Sequence, residues 1–132
     1  MMAADIAAKG TLAAVALGGA VGSLARYWLV SVVPAKTGGF PLGTLLVNSV
    51  GCLLIGALMV AVVELRKVHT LVRPFLGVGV LGGFTTFSAY TEEVRALLAP
   101  DTMLVALAYL ITTVLCALAA VAVGMRLARW AV

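Results

Sequence analysis

Acidic side chains are scarce in this chain, and none of the five lies in the middle of an apolar stretch. Proton-coupled transporters and cation channels usually carry a carboxylate within the bilayer, where it relays protons or binds the cation. One histidine and two cysteines are too few for a metal cluster or a disulfide framework. No nucleophile has a base and an orienting residue beside it, so the sequence does not predict an enzyme.

Charge of either sign is also sparse, at 11% of residues, and the net charge of +4 is spread over short loops. The basic residues form no run interleaved with aromatic side chains, so a nucleic-acid partner is not predicted. Their expected surroundings are water and the headgroups of membrane lipid.

Apolar sequence, by contrast, is abundant: 64% of residues are hydrophobic and the mean hydropathy is +1.19. An apolar stretch of roughly 20 residues crosses a bilayer. Four such stretches occur, at residues 12–33, 42–63, 71–90 and 103–125, separated by turn-forming and charged residues. The sequence therefore predicts an all-α membrane protein with four transmembrane helices in a single domain, residues 1–132.

The distribution of basic residues bears on orientation, because four spans place both termini on one side of the membrane. That side collects six basic residues: Lys9, Arg66, Lys67, Arg73, Arg126 and Arg129. The other side has three: Arg26, Lys36 and Arg95. The positive-inside rule favours cytoplasmic termini, but the bias is modest and leaves a mixed or dual orientation open.

The third stretch is interrupted near its end by Gly82-Gly83 and by Thr85-Thr86. Glycine weakens a helix interior, and consecutive glycines free the backbone to leave helical geometry. Non-helical backbone at membrane depth is tolerated only where it is buried in protein or lines a polar cavity. We therefore expect the third helix to be broken at residues 82–86, and the break to be a candidate ion site.

Neutral polar residues form stripes at helical spacing on the other three stretches. The first stripe is Gly19, Gly22, Ser23 and Arg26; the second is Thr44, Asn48 and Gly51; the one on the last stretch is Tyr109, Thr112, Thr113 and Cys116. Each allows a structural interpretation. The glycines suit close helix packing, the Asn48 amide suits hydrogen bonding between helices, and the isolated thiols Cys52 and Cys116 act as small apolar residues. Arg26 either extends to the interface or binds an anion.

An aromatic pair follows the expected break, with Phe87 and Tyr90 one helical turn apart. Such a pair is usually part of a core, yet ring edges carry positive partial charge and can support an anion. Stripes rich in hydrogen-bond donors, the lack of intramembrane carboxylates and the interrupted helix together favour the passage of anions over cations.

Three motifs stand in order along the chain: Gly18-Gly19-x-x-Gly22-x-x-x-Arg26-Tyr27, Gly43-Thr44-Leu45-Leu46-Val47-Asn48-Ser49-Val50-Gly51 and Gly82-Gly83-Phe84-Thr85-Thr86-Phe87-Ser88. In their order, their spacing and the length of the chain, they resemble the small Fluc (CrcB-type) fluoride channels. The resemblance implies passive fluoride export across the cytoplasmic membrane of a prokaryote. It also implies an antiparallel, dual-topology dimer with two narrow fluoride paths.

The resemblance further implies one resident cofactor, a structural sodium ion at the dimer centre that is required for activity but not transported. The backbone carbonyls of Gly82 and Thr85 from both subunits would hold it. The fluoride path would be lined by Asn48, Phe87, Tyr90, Tyr109 and Thr113, and Arg26 would lie in an aqueous vestibule.

The chain departs from the family pattern at two positions. Tyr90 stands where phenylalanine is usual, and Ala117 where serine is frequent, so the polar track would either be shorter or be completed by Cys116 or Thr112. The uneven split of basic residues leaves open a heterodimer with a separately encoded paralogue.

Two other classes remain to be weighed. A small multidrug antiporter would need a glutamate embedded in the first span, which here has only Arg26. An accessory membrane protein would use the glycine faces for packing and the polar stripes to join helices.

Overall fold

The computed structural model describes residues 2–33, 38–64 and 69–131, and all regular structure within these ranges is helical. The elements in chain order are α1 (Met2–Val32), α2 (Leu42–Glu64), a π-helical segment (Arg73–Leu81), α3 (Gly82–Phe84), α4 (Ser88–Leu97) and α5 (Met103–Ala131). Residues 1 and 132 of the predicted domain lie outside the described ranges, as do three basic residues of the orientation argument, Lys36, Arg66 and Lys67.

Three of the helices are long and apolar enough to cross a membrane, over Ala7–Val32, Leu42–Val63 and Met103–Ala131. They confirm the first, second and fourth predicted spans and the multi-pass membrane class. The ends of two helices differ from the predicted ends of the spans. Helix α1 begins ten residues before residue 12, and α5 continues beyond residue 125. Many large apolar side chains on these helices are exposed, as expected of surfaces that face lipid.

The third predicted span, residues 71–90, is a discontinuous helix. It begins as nine residues of π-helix, whose wider turn is rare in proteins and which no feature of the sequence predicted. Its helical geometry continues through α3 and then stops, with Thr85 in an extended conformation at ψ 156°. Helix resumes at α4 and reaches Leu97, seven residues past the predicted end.

The prediction of a broken third helix is therefore confirmed, but its position needs correction. The break lies at residues 85–87, whereas Gly82 and Gly83 are still helical. The glycines were expected to unwind the backbone. Instead Gly83 lets two helices approach, because a Cβ there would lie 3.0 Å from the Cα of Gly19 on α1. The packing interpretation of the α1 glycines is confirmed at Gly18 and Gly22, where an added Cβ would collide with the carbonyl oxygens of Phe75 and Val80, but not at Gly19, where it would meet nothing.

The remaining packing brings the break against α2 and α5. These two helices form the largest contact in the structure. At one end of the pair, Tyr109 and Leu97 belong to a small buried cluster, with Phe40 and Tyr90 packed against it. This arrangement places α4 beside α5 and holds residues 85–87 next to the polar face of α2.

Candidate functional site

The break in the third span is held open by one side chain, Asn48 of α2. Its Oδ1 accepts a hydrogen bond from the Thr86 backbone N–H at 2.8 Å, and its Nδ2 donates to the Thr86 carbonyl at 2.9 Å. Thr86 is 7% exposed, so its backbone groups depend on this partner. The amide nitrogen of asparagine carries a second N–H, which leaves Asn48 one donor for a ligand.

This clamp changes the bonding of the preceding turn. In a continuous α-helix the Thr86 N–H would bond to the Gly82 carbonyl, but it is given to Asn48 instead. The backbone N–H and the hydroxyl of Thr85 both donate to the Leu81 carbonyl, at 2.9 and 2.8 Å. The Gly82 carbonyl, on an exposed residue, thus loses its usual helical partner.

A cavity of about 430 Å³ opens beside the break, with α2 and α5 forming its other walls. It brings together five of the predicted site residues: Asn48, Gly82, Thr85, Phe87 and Thr113. None of the residues that line it carries a charge, and most of its surface is apolar. The polar groups that it offers, the Asn48 amide and the threonine side chains, are all neutral.

Thr113 contributes the most informative atom of this wall. Its hydroxyl is buried and has no hydrogen-bond partner among the residues that the structure describes. A threonine in a helix commonly donates to the carbonyl four residues earlier, so this hydroxyl is unusual. A buried hydroxyl without a partner is costly, so the fold leaves this polar group of α5 unsatisfied.

The two other predicted aromatic residues, Tyr90 and Tyr109, extend from the cavity edge towards the core. Phe87 is 76% exposed, and its ring centroid lies 6.0 Å from that of Tyr90. Tyr90 meets fully buried Tyr109 edge to face at 5.3 Å, and its hydroxyl donates to the Leu110 carbonyl at 3.2 Å. The extra hydroxyl of Tyr90 is thus bound to α5 and its ring edge stays near Phe87.

Arg26 lies at a second cavity of about 350 Å³, on the other side of the break. Its guanidinium reaches towards the Thr85 carbonyl, at 3.5 Å from Nη1, which is the outer limit of a hydrogen bond. Ser23 and Thr44 also border this cavity. Glu93 lines the same cavity, and both interpretations of Arg26 stay open.

Glu93 is a candidate site residue that the sequence analysis missed. It was placed beyond the third span with the other acidic residues, but it lies half-buried on α4. Its two carboxylate oxygens accept hydrogen bonds from Thr44 Oγ1 of α2 and from the Tyr109 hydroxyl of α5, each at 2.6 Å. Glu93 still lies at the end of the third stretch and not in its middle, but it is packed against α2 and α5. The signal was spacing, since Glu93 follows Tyr90 by one helical turn.

These features define a multi-pass helical membrane protein with an uncharged, largely apolar cavity at a break in one helix. Comparison with known proteins then gives its family. The family model described as CrcB-like protein, Camphor Resistance (CrcB), matches residues 13–125. The chain belongs to this CrcB family, as the three motifs indicated.

Three individual relatives are similar to this chain over most of its length. A protein of Nocardia farcinica named fluoride-specific ion channel FluC 2 is 52% identical over 91% of this chain and 86% of its own length. A FluC 1 of Streptomyces coelicolor is 52% identical over 91% of this chain and 75% of its own. The FluC of Paracoccus denitrificans is 44% identical over 92% and 96%. All three are named as channels, so membership of this family confirms that the chain is not an enzyme.

Proposed function

We propose that this chain forms a fluoride-specific channel. The observation that carries the proposal is the cavity at the break, whose lining residues include Asn48, Phe87 and Thr113 and carry no charge. Such a wall can replace the water around a small anion with hydroxyl, amide and ring-edge donors. The names of the CrcB relatives support fluoride as that anion.

The proposed route begins at Arg26, whose positive charge would concentrate anions at the mouth of the path. It continues between the Asn48 amide, the Phe87 ring edge and Thr113, and the ring edges of Tyr90 and Tyr109 would extend it. Fluoride would pass passively out of a prokaryotic cell across the cytoplasmic membrane. Because hydrogen fluoride enters as a neutral molecule and ionises inside, an outward leak of the anion would lower its toxicity.

Flux of fluoride through the purified protein tests the proposal directly. In proteoliposomes loaded with fluoride, with a potassium ionophore to balance charge, we expect rapid efflux that needs no proton gradient. A fluoride electrode measures it. Chloride loaded into matched vesicles should remain inside, because only a small anion gains enough from closely placed donors to replace its hydration. Equal efflux of chloride would contradict the proposed selectivity.

Phe87→Ile should separate a channel from an accessory membrane protein. The side chain is 76% exposed, so its replacement should leave folding of the chain intact. Isoleucine lacks the ring edge, and we expect fluoride efflux to fall at least about tenfold, the effect of roughly 1.4 kcal/mol at the narrowest point. Trp130→Ile is the matched control, since Trp130 is 84% exposed at the end of α5. A change in association with no change in efflux would favour the accessory role.

A second subunit is part of the proposal. The exposed Phe87 and the open side of the cavity suit an inverted copy of this chain, which would complete both paths in an antiparallel homodimer. The numbered names FluC 1 and FluC 2 among the relatives keep a heterodimer with a paralogue as the alternative.

A structural sodium ion fits the residues at the break. The Gly82 carbonyl has lost its helical partner, and oxygen atoms are the ligands that hard cations prefer. The Thr85 carbonyl is the second candidate ligand, although the guanidinium of Arg26 lies 3.5 Å from it. Two carbonyls form only part of a cation's shell, so a second subunit would supply the rest. Bound sodium would fix the two breaks against each other.

Exchange of sodium for a larger cation tests this part. Protein purified and reconstituted in N-methyl-D-glucamine salts should lose fluoride efflux at least about tenfold, and readdition of sodium should restore it. Efflux of radioactive sodium should stay at the level of empty vesicles. Unchanged fluoride efflux after complete removal of sodium would rule out a required ion.

A further inference from the structure

Two glycines bring the backbones of α2 and α5 into direct contact. A Cβ added to Gly124 would collide with the Leu53 carbonyl, and one added to Gly56 would collide with the Val121 carbonyl. Only glycine fits at such a close approach. Beyond these contacts, towards the C-terminal ends of both helices, cavities open against two faces of α2.

The larger of these cavities, about 450 Å³, lies between α2, the π-helical segment and α5, and we call it the α2–α5 cleft. Every residue that lines it is a leucine, a valine or an alanine. On α2 the cleft begins at Leu54, and the helix ends at Glu64. These ten residues rise about 15 Å, which is about the depth of one leaflet of the hydrocarbon core. The cleft therefore suits one acyl chain of a lipid.

The cleft lies at the positively charged end of the helical bundle. The π-helical segment runs antiparallel to α2, since Gly77 packs near Leu58 and Thr85 near Gly51. Its first residue, Arg73, is therefore at the end where α2 stops. In chain order six basic and two acidic residues belong to this end, and three of each belong to the other. The whole net charge of +4 is thus at the end with the cleft.

Arg129, in the last turn of α5, supplies an independent indication of the ligand. It lines the smaller cavity, of about 200 Å³, whose remaining walls are apolar and include Val63 and Met125. An apolar wall that ends in a guanidinium matches the part of a phospholipid where the acyl chains join the phosphate.

A second copy of this chain complements the charge of this end poorly. An inverted copy would bring its neutral end against the positive end, and a parallel copy would bring like charges together. An anionic headgroup has the complementary charge. Basic residues at the ends of membrane helices are typical binding sites for such headgroups.

We propose that the α2–α5 cleft binds one acyl chain of an anionic phospholipid, whose phosphate is held at Arg73 and Arg129. Guanidinium groups bind phosphate oxygens in pairs. The bound lipid links the π-helical segment to α5 and stabilises the folded chain by mass action. The inference does not depend on the proposed function, because it requires neither fluoride nor a second subunit.

The test compares two lipids with the same chains. The full chain in dodecyl maltoside is mixed with dioleoyl phosphatidylglycerol, which is anionic, or with dioleoyl phosphatidylcholine, which has no net charge. Native mass spectrometry counts the bound lipid, and thermal unfolding is followed on the same samples. We expect the anionic lipid to bind at least about tenfold more tightly, because each nearby arginine contributes about fivefold. High salt should reduce this preference. Equal binding of the two lipids would overturn the inference.

R73Q and R129Q each remove one charge at an exposed position. Each should lower the preference for phosphatidylglycerol about fivefold and leave the binding of phosphatidylcholine unchanged. R95Q is the control, since Arg95 is exposed on α4 at the neutral end. If both R73Q and R129Q keep the full preference, the phosphate is held elsewhere and the inference fails.

Ala61→Phe tests the acyl chain, because it fills the cleft from α2. It should lower the binding of both lipids at least about tenfold, the effect of losing about two methylene contacts. Ala131→Phe, at an exposed position of the cleft, is a second variant with the same expectation. Ala122→Phe, exposed on α5 outside the cleft, should bind both lipids as the wild type does.

Three outcomes of these measurements would each overturn the inference. Unchanged lipid binding in both cleft variants would exclude an acyl chain from the cleft. Weaker self-association of these variants, with normal lipid binding, would show that a second copy covers it. Stabilisation by inorganic phosphate equal to that by phosphatidylglycerol would show a site for phosphate alone.

Discussion

Replacement of Asn48 by alanine should lower fluoride efflux at least about tenfold and destabilise the folded protein by about 2 kcal/mol or more. The Asn48 amide is the partner of both the N–H and the carbonyl of Thr86, at 2.8 and 2.9 Å. Within a bilayer no water takes over these bonds. The freed Thr86 N–H can return to the Gly82 carbonyl, and residues 85–87 would then close towards a continuous helix.

Efflux per folded protein and thermal unfolding in detergent measure the two effects separately. Asn48→Asp is the graded variant, because it keeps an acceptor for the Thr86 N–H and loses the donor to the Thr86 carbonyl. It should unfold at a temperature between the wild type and Asn48→Ala. Ser49→Ala, at the next position of α2, should behave as the wild type. An Asn48→Ala protein with normal efflux and normal unfolding would contradict the role of the clamp.

Loss of the Glu93 carboxylate should have an effect of similar size. Glu93→Ala leaves two hydroxyls without an acceptor, those of Thr44 and Tyr109, which now bind it at 2.6 Å each. Hydrogen bonds to a charged group contribute about 1.5–3 kcal/mol each. We therefore expect a loss of stability of about 3 kcal/mol and at least about a tenfold loss of efflux. The Tyr109 ring would no longer be fixed against Tyr90.

Glu92→Ala is a closely matched control for this prediction. Glu92 is the preceding residue on the same helix, but it is exposed and pairs only with exposed Arg95, at 2.6 Å. Surface ion pairs contribute about 0–1 kcal/mol, so efflux and unfolding should change little. Tyr109→Phe and Thr44→Val each remove one of the two bonds to Glu93 and should give intermediate effects. Equal behaviour of the Glu92 and Glu93 variants would show that Glu93 has no special role.

The break in the third span illustrates how far local sequence carries a prediction. Two glycines followed by two threonines indicated that a helix is interrupted there, and it is. The residue at which it stops depends on Asn48, which lies 38 positions earlier and competes for the Thr86 N–H. The helix propensities of residues 82–87 carry no information about that distant partner. The glycines were then free for another use, close contact with α1.

Glu93 illustrates the opposite error. On hydropathy the third span was predicted to end at residue 90, because charged residues follow. Glu93 was therefore placed outside the predicted span. In the structure α4 continues to Leu97 and turns Glu93 towards α2 and α5. A charged residue enters a helical bundle when partners satisfy it. Those partners, Thr44 and Tyr109, come from two other helices.

The amino-acid sequence by itself determined the class of this protein, three of its long apolar helices and its membership of the CrcB family. Hydropathy depends on composition within about 20 residues, and motifs are read along the chain, so neither needs three dimensions. Only the tertiary structure decided which polar groups of the described residues are paired and which are not, and the proposed ion path depends on that. The Asn48 amide and the Glu93 carboxylate are both engaged in hydrogen bonds between helices. The Thr113 hydroxyl has no partner among the described residues.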